Sequence, residues 1–172
     1  AARDHLLGFS GVNGRGEALI ARIDAAVAAA EPPAGPEAGP ESGPESGAAR
    51  PSAVIWQSGG IVPGRDALIV DLLGRAGLAD HAAAQGLGQA DHVSLERLLV
   101  DPPQALLIVG TGAQTGEDND RLRFHPMLDR LEQTARFTLD PELLYCGGPT
   151  IIAASRRLAA IRRELAGAGG GQ

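Results

Sequence analysis

Lysine is absent from the 172 residues, so all fifteen basic side chains are arginine, set against twenty-one acidic ones for a formal charge of −6. That balance argues against nucleic acid as a partner, because neutralising phosphates needs a basic face. Aromatics make up only 3% of the chain, with one tryptophan and one tyrosine, so the core must be aliphatic. The single cysteine, Cys146, excludes an internal disulfide and any multi-cysteine metal site. No apolar run approaches the roughly 20 residues needed to span a bilayer. The one methionine is Met127, so residue 1 is not a translation start; the expectation is a removed leader or a fragment, and no signal-peptide pattern is visible. The length fits one domain with one core.

What is present is strongly segmented. Ala18, Leu19, Ile23, Ala26, Val27 and Ala30 share one face at helical spacing. An earlier helix over Ala1–Leu7 is expected, divided from this one by the glycine-bearing stretch GFSGVNGRG. Residues 31–51 repeat a Gly-Pro-Glu unit and contain no large aliphatic side chain, which reads as a solvated linker. From Ser52 the pattern turns regular. AVIW (53–56) reads as a buried strand, and Leu68, Ile69, Leu72, Leu73 and Ala76 as a helical stripe closed by Gly77. Ser94 is placed to cap SLERLLV, with Glu96 favouring that helix start and Val93 stapling against Leu98. ALLIVG (105–110) has the continuous apolar character of a central parallel strand. ARFTL (135–139) reads as a further strand, and Ile151, Ala154, Leu158, Ile161 and Leu165 as the stripe of a last helix with Pro149 in its first turn. AGAGGGQ is expected to be a frayed tail.

Strands alternating with helices predict an α/β fold, a Rossmann-like open parallel sheet flanked by helices. Ligands of such sheets bind at the carboxyl ends of the strands. The loops 57–64, 110–117 and 140–148 leave those ends and should form one rim.

Several chemistries fall away on spacing. GTGAQTG (110–116) lacks both the Gly-Lys-Ser/Thr ending of a phosphate loop and Gly-x-Gly-x-x-Gly, and GVNGRG follows no strand. The four histidines, His5, His81, His92 and His125, have no paired spacing for a metal. No Gly-x-Ser-x-Gly elbow is present. Cys146, beside Gly147 and Gly148, has no histidine close in sequence to act as its base, and a small residue at a tight turn accounts for it better than a nucleophile. Trp56 and Tyr145 stand at predicted rim loops and suit a large, partly apolar ligand. For Trp56 strand alternation leaves core and rim equally open.

The order of segments resembles one family: a strand, a GG…GRD loop, a helix ending LLGRAGLAD, then HVSLERLLVDPPQALLIVG, RFHPML, a strand, and LLYCGGPTIIAASRRLA. It is similar to the C-terminal lobe of the two-lobe, class III (cluster A) periplasmic binding proteins for iron–siderophore, haem and vitamin B12, which serve ABC importers. The resemblance covers Ser52 to about Leu165. It implies that residues 1–30 end the inter-lobe helix, 31–51 are a linker, 52–166 form the lobe and 167–172 are a tail. It implies a cleft wall containing Trp56, Ser58, Gly59, Gly60, Ile61, Thr111, Tyr145 and Cys146, and Asp66 as a residue that docks the permease. Asp66 also reads as a helix cap or first-turn residue. Thr150 stands where many relatives carry arginine, and Gln104 where aspartate is usual. The implied ligand is a metal chelate or corrinoid and the implied partner an ABC permease. No resident cofactor, no metal site, no catalysis and no nucleic acid are implied, and the location is periplasmic or lipid-anchored, peripheral to the membrane. The rival reading is a Rossmann-like nucleotide-binding enzyme fragment. A third is a lone lobe acting as an interaction module.

Overall fold

A computed structural model describes residues 10–33, 50–88, 90–110, 125–145 and 147–169. The elements, in order, are α1 (Ser10–Ala30), β1 (Ser52–Trp56), α2 (Leu68–Arg75), β2 (Ala79–Asp80), α3 (His81–Ala84), α4 (Leu95–Val100), β3 (Ala105–Val109), β4 (Ala135–Leu139), α5 (Glu142–Tyr145) and α6 (Pro149–Gly169). Single 3-10 turns form at Ser58–Gly60 and Pro126–Arg130.

The four strands form one parallel sheet in the order β2-β1-β3-β4. β1 and β3 occupy the centre and pair in register from Ala53 with Ala105 to Trp56 with Ile108. Their side chains are buried on both faces, which is why they read as unbroken apolar runs. Ala53, Ile55, Leu107 and Val109 face one core with Ile69, Leu72 and Leu73 of α2 and Ala154, Leu158 and Ile161 of α6. Val54, Trp56 and Leu106 face the other, with Val62, Val93, Leu98, Leu128 and Leu131. The expected parallel α/β architecture is therefore present.

α2 ends where glycine is required. Leu78 N–H reaches back to Leu73 O at 3.1 Å and Gly77 N–H to Gly74 O at 3.0 Å, with Gly77 at φ 83°. This is a Schellman ending, and buried Leu78 completes it. The stop turns the chain directly into β2.

Four local expectations need correction. α1 starts at Ser10 and passes through Gly11, Gly14 and Gly16, which had read as a break. Among the described residues, no atom beyond the helix's own backbone lies within 4 Å of a Cβ added at Gly14 or Gly16. The end of α1 that carries buried Ala26 and Ala30 packs on α6, and elongation from that anchored end adds one hydrogen bond per residue against a glycine cost of about 1 kcal/mol. Leu68, assigned to the buried stripe of α2, is the first helical residue and is exposed. α6 continues to Gly169, three residues into the stretch read as a tail. β2 and α3, two and four residues long, had no counterpart in the sequence reading. The expected helix over Ala1–Leu7 and linker residues 34–49 lie outside the described residues.

Leu158 of α6 is fully buried between helix and sheet, whereas Val100 at the end of α4 is 86% exposed. Leu158→Ala should cost about 2–5 kcal/mol through lost burial and a cavity. Val100→Ala should stay within about 0.5 kcal/mol. Urea unfolding of the two variants checks the assignment of the core.

Candidate functional site

The site begins where β1 ends. Gln57 N–H donates to Ile61 O at 2.8 Å and Gly60 N–H to Gln57 O at 3.0 Å, closing a tight turn over Ser58–Gly60. The turn requires φ 74° at Gly59 and 84° at Gly60, a region glycine enters without strain. Gly60 has a second constraint, since a Cβ there would stand 2.7 Å from Val93 O.

That contact reveals a second rim segment. Val93 N–H donates to Gly60 O at 2.8 Å and Val62 N–H to Asp91 O at 2.9 Å, while Ile61 and His92 form an antiparallel bridge. The Trp56 indole N–H donates to Val93 O at 3.1 Å from beneath. His92 Nδ1 lies 3.2 Å from Gly59 O on the outside. The glycine loop is thus fastened to the segment that leads into α4.

α4 starts as its sequence dictates. Ser94 Oγ accepts from Arg97 N–H at 3.3 Å, and Val93 and Leu98 share one core as a staple would have them. The Glu96 carboxyl is held below the ordinary carboxylate range, first by its own backbone N–H, then by the Ser94 hydroxyl and by nearby His125. Trp56, Gly59, His92, Val93, Ser94 and Glu96 contribute to the lining of a concavity of about 370 Å³. A groove of about 420 Å³ runs between α1 and α6, but its floor is the alanine seam of the helix packing and no strand end opens into it.

Ser58, Gly59 and Ile61 are half-buried on the turn and Gly60 is buried within it. Trp56 requires correction as a ligand-contacting aromatic: it is 1% exposed, it belongs to the buried cluster that includes Val54, Leu98 and Leu106, and its indole nitrogen is bound to Val93 O. An indole buried this way needs an N–H partner, and the rim backbone supplies it. Tyr145 closes α5 after β4, on the same sheet edge as the glycine turn. Thr111 and Cys146 lie outside the described residues. Asp66 is exposed in the turn before α2; the cap position is Ala67 and has no side-chain cap bond, so Asp66 does not cap the helix. His92 was missed as a rim residue, because its pairing with a loop some thirty residues away leaves no local spacing signal.

The family model for periplasmic binding proteins matches residues 9–141. No curated protein matches the sequence. The fold is similar to the periplasmic heme-binding protein RhuT of Roseiflexus sp. RS-1, at 22% identity and TM-score 0.64, over 93% of this chain and 60% of that one. It is similar to the iron-uptake system-binding protein FeuA of Bacillus subtilis, at 16% identity and TM-score 0.60, over 90% and 56%. It is similar to the periplasmic vitamin B12 binding protein BtuF of Vibrio cholerae, at 12% identity and TM-score 0.53, over 87% and 51%. The chain thus spans less than two thirds of each of these structures.

The two rim glycines should separate strain from crowding. Gly59→Ala meets no atom within 4 Å among the described residues and should cost about 1–2 kcal/mol for its backbone alone. Gly60→Ala adds the clash with Val93 O and should cost about 2–5 kcal/mol. Equal unfolding midpoints for the two variants would show that the rim segments are not fastened together.

Proposed function

The chain belongs to the periplasmic binding protein family, and on that premise we propose that it is one lobe of the substrate-binding component of an ABC importer. Its ligand is a metal chelate or corrinoid, of the iron–siderophore, haem or cobalamin class, which it passes to a membrane permease without covalent chemistry. The observation that carries this reading is the glycine turn at the carboxyl end of β1, where, among the described residues, no atom lies within 4 Å of a Cβ built at Gly59. A wall without side chains lets a bulky, flat ligand approach the backbone, and a parallel sheet presents that wall at its carboxyl edge.

Under this proposal residues 52–166 are the lobe, α1 is the end of the helix that reaches the other lobe, and 31–51 link the two. The packing of α1 on α6 supports α1 as part of the lobe's frame. Ser58, Gly59, Gly60, Ile61, Thr111, Tyr145 and Cys146 form the cleft wall. Asp66, exposed and outside α2, is free of a capping duty and suits docking onto permease arginines. The proposed location is periplasmic or lipid-anchored on the outer side of the membrane. Among the described residues no helix is long and apolar enough to cross a bilayer.

The test titrates the 172-residue chain with haemin, aquocobalamin, a ferric trihydroxamate and ATP, following Trp56 fluorescence. One wall of a two-walled cleft lacks enclosure, so binding to one chelate should be weaker than about 1 μM. ATP should give no response. Asp66→Ala should leave chelate binding unchanged and weaken association with the permease, most strongly at low salt. An ATP response without any chelate response would replace this proposal with the nucleotide-enzyme reading.

A further inference from the structure

The groove between α1 and α6 lies away from the rim, and its charge is of one sign. Its floor is five alanines, four from α1 and Ala159 from α6, together with Ile152. Three exposed arginines line it as well, Arg22 from α1 and Arg156 and Arg163 from α6. No acidic side chain is among the described residues that line it. Asp24 and Glu164 belong to the same two helices, yet neither takes part in the lining.

These arginines differ from several others on the lobe. Arg75 holds Asp71 at 2.8 Å, Arg136 holds Asp129 at 3.2 Å and Arg157 holds Glu164 at 3.6 Å. Arg156 precedes Arg157 directly, so of two adjacent arginines only the one outside the groove is neutralised. Among the described residues Arg22 and Arg156 have no carboxylate partner. Arg163 donates from Nε to Ala159 O at 3.2 Å, which folds its guanidinium back along its own helix toward the floor. Three unneutralised like charges around one groove repel one another, even in a chain of formal charge −6. An anion seated among them relieves that repulsion, and a guanidinium matches a carboxylate with two parallel N–H donors.

The ends of the groove can be told apart. A Cβ built at Gly77 would stand 3.0 Å from Pro32 and 3.0 Å from Arg162, so the end of α1 lies beside that turn of α6. Arg22 and Arg156 therefore lie toward the opposite end, about 10–12 Å back along the helices. Between the ends the floor offers methyl groups. A small hydrophilic anion would leave that surface wet, whereas an alkyl chain would cover it. The groove's volume, about 420 Å³, is within the range of small-molecule sites.

We propose that the α1–α6 groove binds a single-chain amphiphile with a carboxylate head, of the fatty-acid class. Arg22 and Arg156 hold the carboxylate, and the alkyl chain lies on the alanine floor. No strand end opens into this groove, so the site does not rest on the chelate-binding reading and stands or falls apart from it.

The test titrates laurate, kept below its micellar concentration, into the 172-residue chain and its Arg156→Gln and Ala29→Leu variants by calorimetry. Arg156→Gln removes a charge and leaves the floor; Ala29→Leu fills the floor and leaves every arginine. Both positions are exposed, and thermal unfolding checks that both variants fold. Laurate should bind, and each variant should weaken it at least about tenfold, equivalent to about 1.4 kcal/mol. Dodecyltrimethylammonium, which has a cationic head on a similar chain, and acetate, which has the head without the chain, should bind more weakly than laurate by at least that factor. Equal binding of laurate and dodecyltrimethylammonium would overturn the proposal, as would laurate affinity unchanged in both variants or no laurate binding at all. Two further arms cover other occupants. Cosedimentation with phosphatidylglycerol vesicles, lost in Arg156→Gln and without laurate binding, would overturn the proposal in favour of a bilayer surface. A dimer in sedimentation velocity, lost in Arg156→Gln and without laurate binding, would overturn it in favour of a second copy of the chain.

Discussion

The hydrogen bond from the Trp56 indole to the Val93 carbonyl joins the two halves of the design. On one side lies the core, where Trp56 is the last residue of a strand buried on both faces. On the other lies the rim, where the same Val93 donates its N–H to Gly60. Val93 therefore has both its backbone groups committed, one to the core and one to the glycine turn. The cost of leaving either group unpaired in a buried setting, about 1–3 kcal/mol, locks the arrangement. The requirement for glycine at position 60 follows from the same residue, since Val93 O occupies the space a side chain would need.

Parallel strand order then gives that fastening a functional direction. Every connection that leaves a strand's carboxyl end emerges at one edge, so the glycine turn after β1 and the segment after β4 open on a common side. Under the proposed function such an edge is one face of a cleft. A rigid rim matters most when a lobe must contribute its share of a divided site. A turn held by hydrogen bonds on both sides has little conformational entropy left to lose when ligand arrives.

How much of this was legible depended on whether the signal was local. β1 and β3 could be read because strands covered on both faces are apolar throughout. α6 could be read because Ala154, Leu158 and Ile161 recur at steps of three and four. Ser94 could be read because a cap and its helix are adjacent. β2 could not, since two residues show no periodicity. The glycines of α1 misled because the helix is held by its far end, which propensity near Gly14 does not report. The direction of Trp56 was undecided by alternation alone; the partner that settles it, Val93, is thirty-seven residues away. His92 was invisible as a site residue for the same reason, because the carbonyl its Nδ1 meets lies on another loop.

The central claim is that ligand meets the edge built by the glycine turn and the His92 segment. Hydrogen–deuterium exchange of the 172-residue chain, with and without haemin, aquocobalamin or a ferric trihydroxamate, tests it most directly. The account predicts slowed exchange at residues 57–62 and 91–94 with whichever chelate binds. Protection along the α1–α6 groove with no change in those two segments would contradict it.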